Sequence, residues 1–251
     1  MALFACLLSI LSHISKYRKG GNGLKRKKKF IQTDPYEIFD KKRKEMLKDL
    51  ENQTGIEPKV KNDTCLNMEK YSIPSIDISI FSPPYANCFD PFEVYKIELW
   101  VGEFVTSYEQ LRHKRKTAIT SNLNANVTKN VSEQHKTELL DNILNYLSGK
   151  ELWDKKIVKM LNVYFNDMLL VLQKIYKNTQ KGGYCVIVVG NSAYGNLAIP
   201  TDLILGQMGQ KVGFDICEII VARNNETSSQ QHSKLLEYTE YLRESIIILK
   251  K

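Results

Sequence analysis

Four residues combine types and spacing that could do chemistry: Ser82-Pro83-Pro84-Tyr85, directly after the apolar run Ile76-Asp77-Ile78-Ser79-Ile80-Phe81. A serine hydroxyl and a prolyl carbonyl are both hydrogen-bond acceptors. Paired prolines hold a turn rigid and expose carbonyls without competing N–H groups. The tyrosine adds a flat face on which a planar ring can stack. Such a turn presents acceptors that are fixed in advance to the N–H hydrogens of a ligand. The same tetrapeptide can also do no more than end a strand, so its context decides.

The elements around it read as α/β. A short strand is expected at Lys59-Val60-Lys61, ending in Asn62-Asp63, and a second at Ile76–Phe81 that runs into the serine. Tyr184-Cys185-Val186-Ile187-Val188-Val189 is a continuous apolar strand, the pattern of a parallel sheet covered on both faces. Ile216 to Ala222 and Ser245 to Leu249 flank a polar loop and could pair as an antiparallel hairpin. Ligands bind at the carboxyl ends of strands in open α/β sheets, which is where the serine falls. Four helices support this sheet pattern. Asp34-Pro35 opens one, striped by Tyr36, Phe39, Met46, Leu47 and Leu50. Leu139, Leu140, Ile143, Leu144 and Leu147 stripe another, with Gly149 as its stop. A third spans 152–178, with Ile157, Leu161, Phe165, Met168, Leu172 and Ile175 on its buried side, and Pro200-Thr201-Asp202 opens a fourth that ends near Gly213. Residues 102–131 are polar with little periodicity and are expected to form a mobile loop.

The opening MALFACLLSILSH lacks a basic leader and is too short to span a bilayer. Leu3, Leu7, Ile10 and Ile14 mark one face of a packed helix instead. The chain has 251 residues, 43% hydrophobic content and a net charge of +8, enough for a sizeable core and compatible with a polyanionic partner. Its most basic stretch, Lys25-Arg26-Lys27-Lys28-Lys29, follows glycines and reads either as a solvated linker or as a phosphate-contacting loop. Cys6, Cys65, Cys88, Cys185 and Cys217 form no C-x-x-C pair and His13, His113, His135 and His232 stand alone, which argues against metal and disulfide sites and for a reducing cytoplasm.

DISIFSPPYAN resembles motif IV of the DNA amino-methyltransferases, which place a methyl group on the exocyclic nitrogen of cytosine or adenine. The likeness extends through Glu98-Leu99-Trp100, Val188-Val189-Gly190-Asn191-Ser192, Gly213-Phe214 and Glu244-Ser245-Ile246-Ile247. It implies that Ser82, Pro83, Pro84 and Tyr85 form the catalytic motif. The lone pair of an exocyclic amine is delocalised into its ring, and two acceptors on the NH2 hydrogens pull the nitrogen toward tetrahedral geometry. Tyr85 would stack on a base extruded from the duplex. The serine at the head of the motif is most similar to the N4-cytosine branch, with N6-adenine as the alternative. S-adenosyl-L-methionine is the implied cofactor, with Asp63 and Phe81 on its side, although Asp63 could equally cap a turn. DNA is the implied partner, contacted by Lys25–Lys29 and, in the base pocket, by Asn191 and Ser192, which could also be ordinary loop residues. Arg223 either contacts a phosphate or ends a strand.

The family's glycine-rich cofactor turn has no counterpart here. Gly20-Gly21-x-Gly23 follows no strand, and Gly206-x-x-Gly209 lies in an expected helix. The resemblance therefore implies a partial class I methyltransferase sheet of Rossmann-like type, behind an N-terminal helical region at 1–57, with the catalytic part at 58–251. In the family's strand order, 3-2-1-4-5-7-6, the strands visible here are the third to the seventh. A companion subunit would supply strands one and two with the cofactor turn, making a heterodimer of the restriction-modification kind. The other reading is a non-catalytic DNA-binding subunit that kept the fold.

Overall fold

The computed structural model describes residues 2–21, 23–30, 33–51, 55, 57–133, 136–224 and 240–251. The chain divides into two compact units, Met1–Asn62 with Asp90–Lys114, and Asp63–Phe89 with Arg115–Lys251. Residues 90–114 thus group with the N-terminal unit and not with the sheet that surrounds them in sequence.

In the first unit, helix α1 (Ala2–Ile14) forms where the apolar spacing predicts it, but its buried residues are Cys6, Ile10 and Leu11, while Leu3 and Leu7 are exposed. The Cys6 thiol donates to the Phe39 carbonyl at 3.6 Å on helix α2 (Pro35–Leu50). Asp34 caps α2 as the sequence predicts, accepting from the Tyr36 amide at 2.9 Å with Pro35 in the first turn. Between the two helices, Lys25 and Arg26 of the basic run fold into a hairpin of β1 (Tyr17–Gly20) and β2 (Gly23–Arg26), where Gly21 turns at φ +61°. Short helices α3 (Pro91–Val94) and α4 (Lys96–Val101) follow, and Lys19 of β1 pairs with Glu98 of α4 at 2.6 Å.

The boundary between the units falls inside helix α5 (Tyr108–Thr117), part of the stretch expected as a loop. After it, Thr120, Ser121 and Asn122 are buried. Two polar residues of a long helix, α7 (Ile157–Asn178), account for this. The Asp167 carboxylate accepts the Thr120 amide at 3.0 Å and the Lys129 ammonium at 2.7 Å, and Asn166 accepts the Ser132 amide at 3.0 Å. These polar anchors satisfy buried donors without leaving any hydrophobic period in the sequence.

The second unit is built on a four-stranded sheet ordered β3-β4-β8-β7: β3 (Ile76–Phe81), β4 (Thr179–Gly190), β8 (Arg243–Lys250) and β7 (Asp215–Asn224). A further ribbon, β5 (Ser192–Tyr194) with β6 (Leu197–Ile199), follows β4. β3 and β4 are parallel, while β8 lies antiparallel between β4 and β7. Helix α6 (Glu138–Ser148) is capped by Thr137, which accepts the Leu140 amide at 3.2 Å, and buries Leu140, Ile143, Leu144 and Leu147. It packs on α7 (Ile157–Asn178), which in turn packs on α8 (Thr201–Val212). α8 ends at Gly213, whose φ of +119° is open to glycine and strained for other residues; a Cβ there would also meet the Tyr176 ring at 2.8 Å.

One face of the two central strands is sealed, since Cys185, Ile187 and Val189 of β4 and Ser245, Ile247 and Leu249 of β8 are all buried. The other face, with Val186, Val188, Ile246 and Ile248, is half-buried. The cover on both faces that the apolar run of β4 predicts is therefore complete on one side only. Lys59-Val60-Lys61 forms no strand, and Val60 is 82% exposed. A strand needs a neighbour for its backbone groups, and none of the described strands pairs with this segment. No described helix is long and apolar enough to cross a membrane.

Candidate active site

β3 delivers Ser82 to the end of the sheet. Its parallel register with β4, Ile80 opposite Val186 and Phe81 opposite Ile187, fixes where the strand stops and the prolines begin. Ser82 is exposed, Pro83 is buried, and Pro84 and Tyr85 are half-buried. The turn is held from below. The Tyr194 hydroxyl of β5 donates to the Ala86 carbonyl at 2.9 Å, and the Cys88 amide donates to the Ser121 carbonyl at 3.2 Å. Cys88 sits at φ +61°, a conformation that side chains rarely adopt, and its thiol lies 3.2 Å from the Tyr194 hydroxyl.

Tyr85 is held from above by a chain of charges. Its hydroxyl donates to the Glu244 carboxylate at the start of β8, and Arg223 of β7 reaches the other carboxylate oxygen at 2.6 Å. Burial raises the Tyr85 hydroxyl above the ordinary tyrosine range, and the bond to the carboxylate adds to the shift. Glu244 moves the opposite way: the tyrosine's hydrogen bond, then Arg223, hold it below the ordinary carboxylate value.

Beside the turn lies a pocket of about 430 Å³ with mostly apolar walls, among them Phe81, Pro83, Ile119, Cys65 and Met68. Cys65 and Met68 belong to a 3-10 turn, Cys65–Lys70, that is braced against α7 by Lys174, whose ammonium donates to the Leu66 carbonyl and pairs with Glu69 at 2.5 Å. Asp63 organises this turn. Its carboxylate accepts the Thr64 amide at 2.7 Å, the Asn67 amide group at 2.9 Å and the Tyr71 hydroxyl at 2.8 Å. These bonds, Asn67's foremost, depress its pKa. Phe81 lines the pocket directly, whereas Asp63 shapes the segment that lines it.

Asn191 and Ser192 lie at the end of β4 but face inward. The Asn191 amide nitrogen donates to Asp202 and to the Tyr241 carbonyl, each at 2.9 Å, and its oxygen accepts the Asp202 amide at 3.0 Å. Asp202, fully buried, also receives Arg243 at 2.9 Å and Ser245 at 2.7 Å. Asn191 is thus committed to a buried polar knot, and Ser192 is itself buried against the β5–β6 ribbon. In the first unit, Lys27 caps the carboxyl end of α1 through the Ser12 and His13 carbonyls at 2.9 and 3.3 Å, and the stem of Lys25 packs against Gly20. Arg26, Lys28 and Lys29 are exposed. Among the described residues no group of three or more His, Cys, Asp or Glu could hold a metal ion.

Glu244, Tyr194 and Asp202 are the site residues that motif reading passes over. Glu244 and Arg243 leave one usable signal, a charged pair placed directly before a run of isoleucines. Tyr194 leaves none, because its role depends on the fold bringing it under Ala86.

No protein-family model matches the chain. It is 28% identical over 261 residues to the Type II methyltransferase M.AvaI of Nostoc sp. PCC 7120, an alignment covering 90% of this chain and 53% of that protein. With the Type II methyltransferase M.BsoBI of Geobacillus stearothermophilus it shares 24% identity over 300 residues, covering 98% of this chain and 58% of the relative. A crystal structure described as a DNA modification methylase from Thermus thermophilus aligns over 75% of this chain and 50% of its own, at 14% identity and a TM-score of 0.32, too loose to carry an argument. The relatives of this chain are Type II methyltransferases, and it spans a little over half their length.

Proposed function

We propose that this chain carries the target-amine half of a DNA amino-methyltransferase site. The observation that carries the reading is the Ser82-Pro83-Pro84-Tyr85 turn at the carboxyl end of β3, braced by Tyr194 and Glu244 and opening beside an apolar pocket. The Ser82 hydroxyl and the Pro83 carbonyl would accept the two amine hydrogens and localise the nitrogen lone pair, so that nitrogen can attack a methyl carbon. The face of Tyr85 would hold the extruded base, and the exposed Ser82 would give the surplus proton a route to water. The apolar walls of the pocket, Phe81, Met68 and Ile119, fit the adenine face of S-adenosyl-L-methionine. When bound, that cofactor supplies the electrophilic methyl. The groups that would grip its amino-acid end are not provided by a glycine-rich turn in this sequence. On resemblance, the serine favours N4 of cytosine.

The sheet order supports a class I placement. β3, β4, β8 and β7 run in the order that the resemblance gives to strands four, five, seven and six. In that order strand one lies beside strand four, and here no described strand pairs with the outer edge of β3, whose Ile78 and Ile80 are 51% and 68% exposed on the face they share with Val186. We propose that a companion polypeptide pairs with this edge and brings the missing strands, the cofactor turn and a partner for the Val60 segment.

Both readings are open to test. Expressing the chain alone and with its neighbouring reading frame, then comparing mass by light scattering and cofactor binding by calorimetry, tests the companion: the pair should form a heterodimer that binds cofactor. A soluble monomer that binds cofactor and methylates DNA unaided would overturn it. Nucleoside mass spectrometry of DNA treated with the assembled enzyme reads the product. Tyr85→Ala and Ser82→Ala should each lower turnover by about 10²-fold or more. Near-normal turnover by both would end the motif assignment, and N6-methyladenine alone would change the base while leaving the mechanism.

A further inference from the structure

We infer that Glu244 is a positioning residue for the methyl-transfer site: it fixes the far tip of the Tyr85 ring, and so the direction in which the ring stands, through the tyrosine hydroxyl, and Arg223 holds Glu244 in place. The inference rests on the proposed role of Tyr85 and adds a residue that the motif does not contain.

A tyrosine on a turn can swing about its first side-chain torsion, and a stacking platform works only if the ring stays in one place. Two anchors restrict that swing here. The backbone beside the ring is fixed by Tyr194, whose hydroxyl holds the Ala86 carbonyl at 2.9 Å. The far tip of the ring is fixed by Glu244, separated from Tyr85 by most of the chain in sequence. Glu244 is itself unable to swing. Its side chain is only 13% exposed, it stands at a paired position of the β7–β8 ladder opposite Arg223, and the guanidinium holds its second oxygen at 2.6 Å. The next residue, Ser245, is bound to the buried Asp202, so the strand start that carries Glu244 is tied into the core. Arg223, 70% exposed, supplies the compensating charge from the solvent side. A carboxylate serving only to close the end of the sheet would be satisfied by Arg223. Its second contact, to the hydroxyl of the motif tyrosine, links the hairpin to the site.

The test uses the assembled enzyme with four variants: Tyr85→Phe, Glu244→Ala, Glu244→Gln and the double variant Tyr85→Phe/Glu244→Ala. Steady-state methylation gives kcat and KM, and a thermal melt accompanies each. Tyr85→Phe keeps the ring and loses only the tether. We expect Tyr85→Phe and Glu244→Ala each to lower kcat about tenfold with the cofactor KM unchanged, and the double variant to be no slower than either single one. Glu244→Gln keeps an acceptor for the hydroxyl and should restore kcat to within about threefold of the parent. Losses that multiply in the double variant, or a normal kcat in Tyr85→Phe, would overturn the inference. Should Glu244→Ala fail to fold, Glu244→Gln against Tyr85→Phe still decides it. Tyr85→Ala separates the two levels: if it too is fully active, the motif reading fails. If it is inactive while Glu244→Ala is normal, only the role of Glu244 falls.

Discussion

The two edges of the four-stranded sheet differ in kind. β7 closes one side with Asp215, Glu218, Arg223 and Asn224 all exposed along its length, and its apolar Ile220 and Val221 lie between those charges. β3 closes the other side with two exposed isoleucines and a single charge, Asp77, already bonded to Gln180 of β4. Charged residues keep an edge strand from recruiting further strands, and an apolar edge invites them. β7 therefore has the composition of a true margin, whereas β3 has that of a strand open to a further neighbour, the position proposed above for the companion. The half-buried second face of the sheet, with Val186, Val188, Ile246 and Ile248, points the same way.

The comparison breaks most readily at β3. Ile80→Lys should abolish association with the companion polypeptide in light scattering, while Val221→Lys on β7 should leave it intact. Equal behaviour of the two variants would make the edges equivalent and remove the argument from composition. Next in size is Asp202→Ala, which strips the buried partner from Arg243, Ser245 and Asn191 near the secured edge. Breaking a buried ion pair from one side costs about 3–5 kcal/mol, to be read from urea denaturation. A loss under about 1 kcal/mol, the size of an exposed pair, would mean that the polar knot is incidental to the sheet. On stability alone, Val221→Lys should lie within about 0.5 kcal/mol of the parent, as exposed substitutions generally do. A larger loss would show that β7 is covered after all. The last effect concerns affinity, and it extends the contrast between committed and free groups to the basic run. Lys27 is spent on the end of α1, so neutralising Arg26, Lys28 and Lys29 should flatten the salt dependence of DNA binding, by about 0.9 in log–log slope for each phosphate that no longer meets a cation. Neutralising Lys27 should instead lower the melting temperature. An unchanged slope in the triple variant, followed by fluorescence anisotropy, would return the run to a solvated surface.

Much of this architecture is legible in the sequence, for physical reasons that differ by element. α6 and α7 declare themselves through leucine and isoleucine spacing, and the β7–β8 pairing through two isoleucine-rich runs about a polar stretch. The serine-proline turn is visible because prolines after an apolar strand are chemically unusual. Three things escape. The stretch after α5 folds on Asn166 and Asp167, polar anchors with no period of their own. The Val60 strand is read from local composition alone, and a strand is a property of two segments. Asn191 looks like a loop residue facing a ligand, whereas its amide is complementary at both ends to an aspartate eleven residues on and is drawn inward. In the site, Tyr85 is found by its motif and Glu244 only by the fold.

The ladder between β7 and β8 has a consequence for how this molecule can change over generations. Its register runs from Asp215 opposite Lys250 to Asn224 opposite Arg243, and its far end is locked by Arg243 and Ser245 on the buried Asp202. The pairing is thus specified along the strands themselves. Lengthening a connection whose ends are already held costs little, about 0.6 kcal/mol for each doubling. A change in the length of the chain between Asn224 and Glu240 can accordingly be absorbed while the sheet, the buried Leu242 and the Glu244 anchor stay in place. Evolution can vary what leaves this end of the sheet without renegotiating the fold.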